Sequence, residues 1–307
     1  MIVSVFTHAD CLEHEPGPAH PESPSRLKAV LAALDDSGCA ETRRIDAPRA
    51  TREQLARVHD ASMLDAVFAA SPVEGQVYLD ADTAMSPGSL QAALRAAGAV
   101  CAAVDLVFAS EQRRAFCALR PPGHHATRDT AMGFCLFNNV AVAAAHALEK
   151  YAVERVAIID FDVHHGNGTA DIFQSDARVM YASTHQSPLY PGSGGVLQRG
   201  VNNLVHVPLA AGAGSKEFRE AFETRILPEL EHFAPQLVLI SAGFDAHRLD
   251  PLANLNLDAD DYAWVTAQLV ALADHHADGR VVSTLEGGYS LTALRESTIA
   301  HVNALSA

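Results

Sequence analysis

The sequence predicts an α/β protein: a single three-layer α/β/α domain over residues 1–307, with a central, mostly parallel sheet. Three observations carry that expectation. Short apolar runs bounded by turn formers alternate with longer amphipathic segments, the pattern of strands joined by helical crossovers. The runs are continuous rather than alternating, as expected of strands buried on both faces. Reactive side chains follow run after run, and in an open α/β sheet the segments after the strands share one edge. No linker, charge block, repeat or low-complexity tract divides the chain.

The elements follow in order. Residues 2–6 form the first expected strand, and a loop rich in His, Glu and Pro runs from His8 to Glu22. Ser23 caps a helix with Pro24 at its first position; Leu27, Val30, Leu31 and Leu34 are its apolar positions, and it ends at Gly38. Thr51 and Gln54 make a capping box for a short helix, and Ser62 to Ala70 is the next. A polar loop at 71–84 precedes a long Ala-rich helix that Pro87 opens and that reaches Phe108. Strand Ala115 to Leu119 runs into Arg120-Pro121-Pro122-Gly123-His124-His125. Helix Asn138 to Lys150 leads to a strand at 155–160, a short helix Asn167 to Phe173 and a strand Val179 to Ser183. Strand Leu204 to Pro208 is followed by a helix from Lys216 to His232 that Pro228 kinks. Strand Leu237 to Ser241, helix Ala259 to Ala273, strand Val281 to Leu285 and helix Leu291 to Leu305 close the chain.

Nearly half the residues are hydrophobic, enough for a sizeable core. A net charge of −15 argues against nonspecific binding to nucleic acid or anionic membranes. The five cysteines are scattered, with no C-x-x-C pair, which fits free thiols in a reducing compartment. The N-terminus carries no signal-peptide pattern, and no apolar stretch reads as a membrane span. A cytoplasmic protein is expected. The surface residues specify no oligomeric state.

The chemistry centres on Asp160-Phe161-Asp162-Val163-His164-His165-Gly166-Asn167. Period-2 geometry would put Asp160, Asp162 and His164 on one side of an extended chain. Buried together, two carboxylates and an imidazole are costly unless they are paired or bind a metal. One such residue is more often structural; three point to half of a divalent metal site. Asp245, after strand 237–241, would alone serve equally as a helix cap. With Asp162 and His164 it completes three ligands with open positions, the pattern of catalytic rather than structural zinc.

Adjacent imidazoles on a stiff Pro-Pro-Gly turn, His124 and His125, suit general acid–base work. Asp160 and Asn167 are available to orient them; an Asp partner favours imidazolium and an Asn does not, so their pKa values should differ. Tyr289, after Gly287-Gly288, would be mere packing on its own, but beside a metal its phenol would donate to a developing oxyanion. Gly133-Phe134 and Tyr190 could line a narrow aromatic channel, or equally be ordinary core aromatics.

Together these residues resemble the histone deacetylase and acetylpolyamine amidohydrolase family, of the arginase–deacetylase fold. The matching stretches include His20-Pro21-Glu22, Arg120 to Ala126, Gly133-Phe134, Asp160 to Gly168, Ser183-Thr184-His185, Tyr190 to Gly194, Ser241 to Asp245, Asp250-Pro251-Leu252 and Leu285 to Tyr289. They span nearly the whole chain in family order. The resemblance implies one Zn²⁺ on Asp162, His164 and Asp245, and a water that attacks an acetamide carbonyl. His125 would be the principal base, with His124 an electrostatic partner or acid, and Tyr289 would stabilise the oxyanion. It also implies K⁺ near Asp160, the Asp162 and His164 carbonyls, Ser183 and Thr184, and a second K⁺ around Phe173, Asp176 and Val179. Phe134 and Tyr190 would wall an acetyl-lysine tunnel, Asp82 would hold the substrate backbone at its rim, and Arg26 would line an acetate exit.

Asn167 and Leu285-Glu286-Gly287-Gly288-Tyr289 resemble class II and its bacterial relatives. Apolar Leu252, where eukaryotic acetylpolyamine enzymes carry an acidic gatekeeper, favours acetyl-lysine or another N-acyl amine. Glu13, Glu15 and Glu22 keep an acetylpolyamine deacetylase open. A binuclear manganese ureohydrolase would need a second acid where His247 stands, and a non-catalytic binding module would usually have lost a ligand or the tyrosine.

Overall fold

A computed structural model describes all residues, 1–307. Ten strands alternate with helices: β1 (Val3–Thr7), a 3₁₀ turn (Ala9–Leu12), α1 (Pro24–Leu34), β2 (Thr42–Asp46), α2 (Arg52–Ala56), α3 (Ala61–Ala69), β3 (Val77–Tyr78), β4 (Ala84–Met85), α4 (Ser89–Ala109), β5 (Arg114–Cys117) and α5 (Asn139–Tyr151). There follow β6 (Val156–Asp160), α6 (Asn167–Phe173), β7 (Val179–Gln186), β8 (Leu204–Leu209), α7 (Ser215–Ala221), a π turn (Phe222–Ile226), α8 (Leu227–Phe233), β9 (Leu237–Ala242), α9 (Ala259–His276), β10 (Val281–Leu285) and α10 (Leu291–Ser306).

Eight strands form one wholly parallel sheet in the order β2-β1-β5-β10-β9-β6-β7-β8. Every residue of β5, β6, β7, β9 and β10 is buried, which explains their unbroken apolar runs. Helix α10 packs on α1 and α9, while α4 packs on α5; these two groups flank the sheet. Strands β5 and β6 are successive in the sheet sequence but lie apart, with β10 and β9 between them. The loops leaving four adjacent strands therefore meet above one stretch of the carboxyl edge, where open α/β sheets hold ligands.

Several expectations need correction. Strand β2 was not foreseen: Thr-Arg-Arg-Ile-Asp is an edge strand with mostly solvent-facing side chains and no apolar run. The expected loop at 71–84 contains a small antiparallel ladder, β3 with β4, too short to leave a period. Helix α1 stops at Leu34, well before Gly38, and the Ser23 hydroxyl bonds Ser25 Oγ (2.6 Å) rather than capping a backbone amide. The helix expected from 216 to 232 opens into a π turn just before Pro228, whose missing N–H and ring cannot continue a regular ladder. Helix α4 is long and apolar enough by composition to cross a bilayer, against the expectation. Most of its apolar window is buried inside the fold, against β5, β1 and α5.

Candidate active site

Strand β6 ends at Asp160, so the extended alternation expected through His164 is absent. The chain turns there on its own carboxylates. Asp160 Oδ1 accepts from Asp162 N (3.1 Å), Asp162 Oδ1 from His164 N (2.9 Å), and Asp245 Oδ1 from Val163 N (2.9 Å). Short side chains bonding amides two residues ahead are a turn device that competes with a strand ladder. The result brings His164 Nδ1 to 3.1 Å from Asp162 Oδ1 and 3.2 Å from Asp245 Oδ2.

One ligand atom from each of Asp162, His164 and Asp245 lies within 4.8 Å of the other two, and all three residues are buried. Asp245 Oδ2 is buried with only the His164 ring nitrogen beside it and no well-aligned hydrogen bond, a costly arrangement that a cation would relieve. Cβ atoms on Gly243 and Gly287 would collide with Asp162 and Asp245 oxygens, so the two glycines keep the cradle open. Burial favours the neutral carboxyl at Asp162, but His124 and His164 hold it well below the usual range. Burial and the Asp162 charge push Asp245 up to about 7. Burial opposes charge on His164, yet the two carboxylates raise it to about 10. This donor set of two hard oxygens and one imidazole nitrogen fits zinc with open positions.

The Pro-Pro-Gly turn after β5 presents the histidine pair. His124 Nδ1 bonds Asp160 Oδ2 (3.0 Å), and His125 Nδ1 bonds Asn167 Oδ1 (2.8 Å). Burial works against charge on His124, but Asp160 and Asp162 raise its pKa well above the ordinary value. Burial and the neighbouring His124 charge push His125 well below it. The turn is held by Glu286, which the sequence marks only as part of the Leu285-to-Tyr289 motif. Its Oε2 accepts from Gly123 N (2.6 Å) and His124 N (3.2 Å), and its Oε1 from Ser241 Oγ (3.1 Å). Tyr181, invisible in the sequence as a mid-strand aromatic, donates to Asp160 Oδ2 (2.9 Å).

Above the pair, Asp82, His125, Gly133, Phe134, His164, Leu189, Tyr190, Leu252 and Tyr289 line a cavity of about 240 Å³. Of these, Leu189 was missed; its only signal was its place beside Tyr190. Gly133 sits at φ 59 with the His125 ring where a Cβ would be, and Phe134 follows at φ 68. Thr83 Oγ1 accepts from Phe134 N (3.0 Å) and holds this unusual backbone. Tyr190 stands edge-on to His125, 5.1 Å between ring centroids, and Phe134 stands edge-on to Tyr289 at 6.0 Å. Asp250 Oδ2 accepts from Tyr289 N (2.7 Å), and the Arg26 guanidinium lies 4.7 Å from the Tyr289 ring centre. Burial pushes the Tyr289 phenol well above its ordinary pKa, so it stays protonated.

The two expected potassium sites differ. Around Asp160, Ser183 Oγ bonds His185 Nδ1 (3.0 Å), and Ser183 and Thr184 are both buried, an oxygen-rich setting compatible with a hard cation. At the second, the carbonyls of Phe173, Asp176 and Val179 do converge, but on the side-chain amide of Asn203.

Eight parallel strands flanked by helices define the arginase–deacetylase class of fold. The crystal structure of the HDA15 HD domain matches with a TM-score of 0.93 at 36% identity, covering 99% of this chain and 88% of that one. Residues 20–305 match the histone deacetylase domain, and the chain belongs to that family. It is 42% identical over 277 residues to a histone deacetylase-like amidohydrolase of Pseudomonas aeruginosa, covering 88% of this chain and 73% of that protein. A probable deacetylase of Archaeoglobus fulgidus is 39% identical over 298 residues, covering 95% and 82%. Membership makes the chain a deacetylase-type hydrolase.

Proposed function

We propose that the protein is a mononuclear zinc amidohydrolase that removes acetyl or related acyl groups from an amine such as acetyl-lysine. The observation that carries this reading is the convergence of His125, His164 and Tyr289 on one narrow aromatic cavity. Asp162, His164 and Asp245 would hold zinc, which supplies Lewis-acid polarisation of the acyl carbonyl and an acidified water.

The chain's own groups divide the remaining work. Asn167 Oδ1 accepts a hydrogen bond, so His125 carries its proton on Nδ1 and offers the Nε2 lone pair as general base. Asp160 stabilises imidazolium at His124, which suits it to balance developing negative charge and to protonate the leaving amine. Tyr289 donates its phenolic hydrogen to the oxyanion of the tetrahedral intermediate. Phe134 and Tyr190 enclose an extended alkyl chain, and Asp82 at the rim accepts from the substrate's backbone amide. A monovalent cation, K⁺, beside Asp160, Ser183 and Thr184 would stiffen the loop that carries the zinc ligands. The five unpaired cysteines suit a reducing, cytoplasmic setting.

Apolar Leu252 at the cavity rim favours acyl-lysine over acetylpolyamine. Glu22, one of the acids that kept the polyamine reading open, is fully buried against Arg120 and unavailable to a ligand. A binuclear ureohydrolase finds no second acid: His247 Nδ1 is engaged by Leu249 N (3.2 Å). The deciding measurement is an activity profile over acetyl-lysine and trifluoroacetyl-lysine peptides and acetylated polyamines, with metal content determined on the same sample. One zinc per chain with preference for acyl-lysine is expected. Zinc-loaded protein inert toward all of them would leave a binding module as the better reading, and two metals per chain would revive the ureohydrolase.

A further inference from the structure

The loop between α6 and β7 curls through two successive turns, Asp176 N bonding Phe173 O (3.0 Å) and Val179 N bonding Asp176 O (3.1 Å). The carbonyls of Phe173, Asp176 and Val179 come together on the inside of the curl. Three converging carbonyls form a focus of negative potential, and backbone carbonyl rings are how proteins replace the hydration shell of K⁺. In this chain an atom of the protein stands at that focus. Asn203 Nδ2 lies 2.7 Å from Phe173 O, 3.1 Å from Asp176 O and 2.8 Å from Val179 O.

The orientation of this amide follows from its surroundings. Asn203 Oδ1 accepts from Val201 N (3.1 Å). Turned over, it would set a carbonyl oxygen against three others and an NH₂ against an N–H, so only the observed orientation satisfies both ends. The side chain is buried, and its own main-chain oxygen accepts from Tyr181 N (2.9 Å) in β7. The segment that delivers it fits closely. Gly200, at φ 55, has Asn203 Oδ1 where a Cβ would stand, and Val201 N also reaches Gln174 O (3.0 Å). The loop's one carboxylate, Asp176, is already neutralised by Arg178 through contacts of 2.9 and 2.6 Å. Neither charge nor space remains for a cation on these three oxygens.

We propose that the Asn203 side-chain amide takes the place of the second monovalent cation and ties the α6–β7 loop together without one. An NH₂ group presents two protons to three carbonyls, one of them shared, and so supplies the electropositive centre the curl requires. Only the site around Asp160 is then left for K⁺, and the α6–β7 loop holds its shape in the absence of alkali cations. The inference is independent of substrate and of the catalytic reading, because it concerns a hydrogen-bonded curl away from the zinc ligands.

Rubidium, visible by anomalous scattering, tests this directly. In crystals of the wild-type protein grown in Rb⁺, no anomalous peak is expected at the focus of the Phe173, Asp176 and Val179 carbonyls. A peak there, with the amide turned away, overturns the proposal, and that map decides the matter even if a variant fails to fold. Asn203→Ala should vacate the focus. Its Tm in choline chloride should fall by several degrees below wild type, and K⁺ at equal ionic strength should restore more of that loss than it adds to wild type. An Asn203→Ala protein with wild-type Tm in choline would show that the amide ties nothing together, and would equally overturn the proposal.

Discussion

Tyr289 is fixed from several directions before its hydroxyl is considered. Asp250 holds its backbone amide, Arg26 covers its ring, and Arg26 Nε donates to the preceding carbonyl, Gly288 O (2.6 Å). Tyr289→Phe should therefore keep the ring in place and remove only the donor. Loss of one oxyanion donor costs roughly 10²–10³ in kcat, about 2.7–4 kcal/mol. Steady-state kinetics on protein of unchanged zinc content measures this, and an unaltered kcat would take the phenol out of the reaction. At this scale much was legible. The residue types after each strand pointed to Asp162, His164 and Asp245 as a cluster, and Asp160 and Asn167 stand beside the imidazoles as their chemistry required. What could not be read was the turn that assembles them. It depends on hydrogen bonds from Asp160 and Asp162 to nearby amides, and a strand pattern in sequence gives no sign of where the ladder ends.

Elements were legible where burial writes a period and illegible where it does not. The core strands announced themselves as apolar runs; β2, exposed along most of its length at the sheet edge, did not. Helix ends were blurred because some lack glycine: α5 and α8 finish at Ala152 and Ala234, both with positive φ. The same balance of local and tertiary preference gives a prediction for α4. Gly98 lies in the middle of this helix, where Ala would be favoured by about 1 kcal/mol on helix propensity. A Cβ there would collide with the backbone at Pro48, Arg49 and Ala50, which packs directly on the helix and donates Ala50 N to Leu94 O (2.8 Å). Backbone cannot rotate aside as a side chain can. Overpacking costs of roughly 1–3 kcal/mol should outweigh the propensity gain, so Gly98→Ala should lower stability in urea unfolding. A stabilised variant would mean that the 48–50 segment yields freely.

Across the whole molecule, distant parts of the chain are locked together by a buried ionic cluster that no local pattern reveals. Glu22 accepts from Arg120 Nε and Nη2 (both 2.5 Å) and from Arg26 Nη1 (3.0 Å), and His14 Nε2 stands 3.3 Å away. Arg26 reaches on to the carbonyls of Glu286 and Gly288, so the cluster joins the first loop, the end of β5 and the tyrosine loop. In the sequence Glu22 is only a first-loop acid open to a polyamine and Arg26 an expected exit lining, because ion pairs between segments far apart leave no spacing to find. Burial favours the neutral acid at Glu22, but Arg120 and His14 hold its carboxyl well below the ordinary value of 4.5. The folded-state pKa is thus lower than the unfolded one. The stabilisation is fully present above about pH 4.5 and is lost as pH falls below it. Burial likewise keeps His14 below its ordinary 6.5, so it too withdraws stability on acidification, starting from a higher pH. Glu22→Gln leaves two buried guanidinium groups short of their counter-charge and should cost about 3–5 kcal/mol near neutrality. Because protonation removes the same charge from the wild type, the gap between the two proteins should narrow as pH drops below about 4.5. Urea unfolding curves of both proteins across that range measure the gap, and one that stayed constant would assign the acid sensitivity of the fold to other carboxylates.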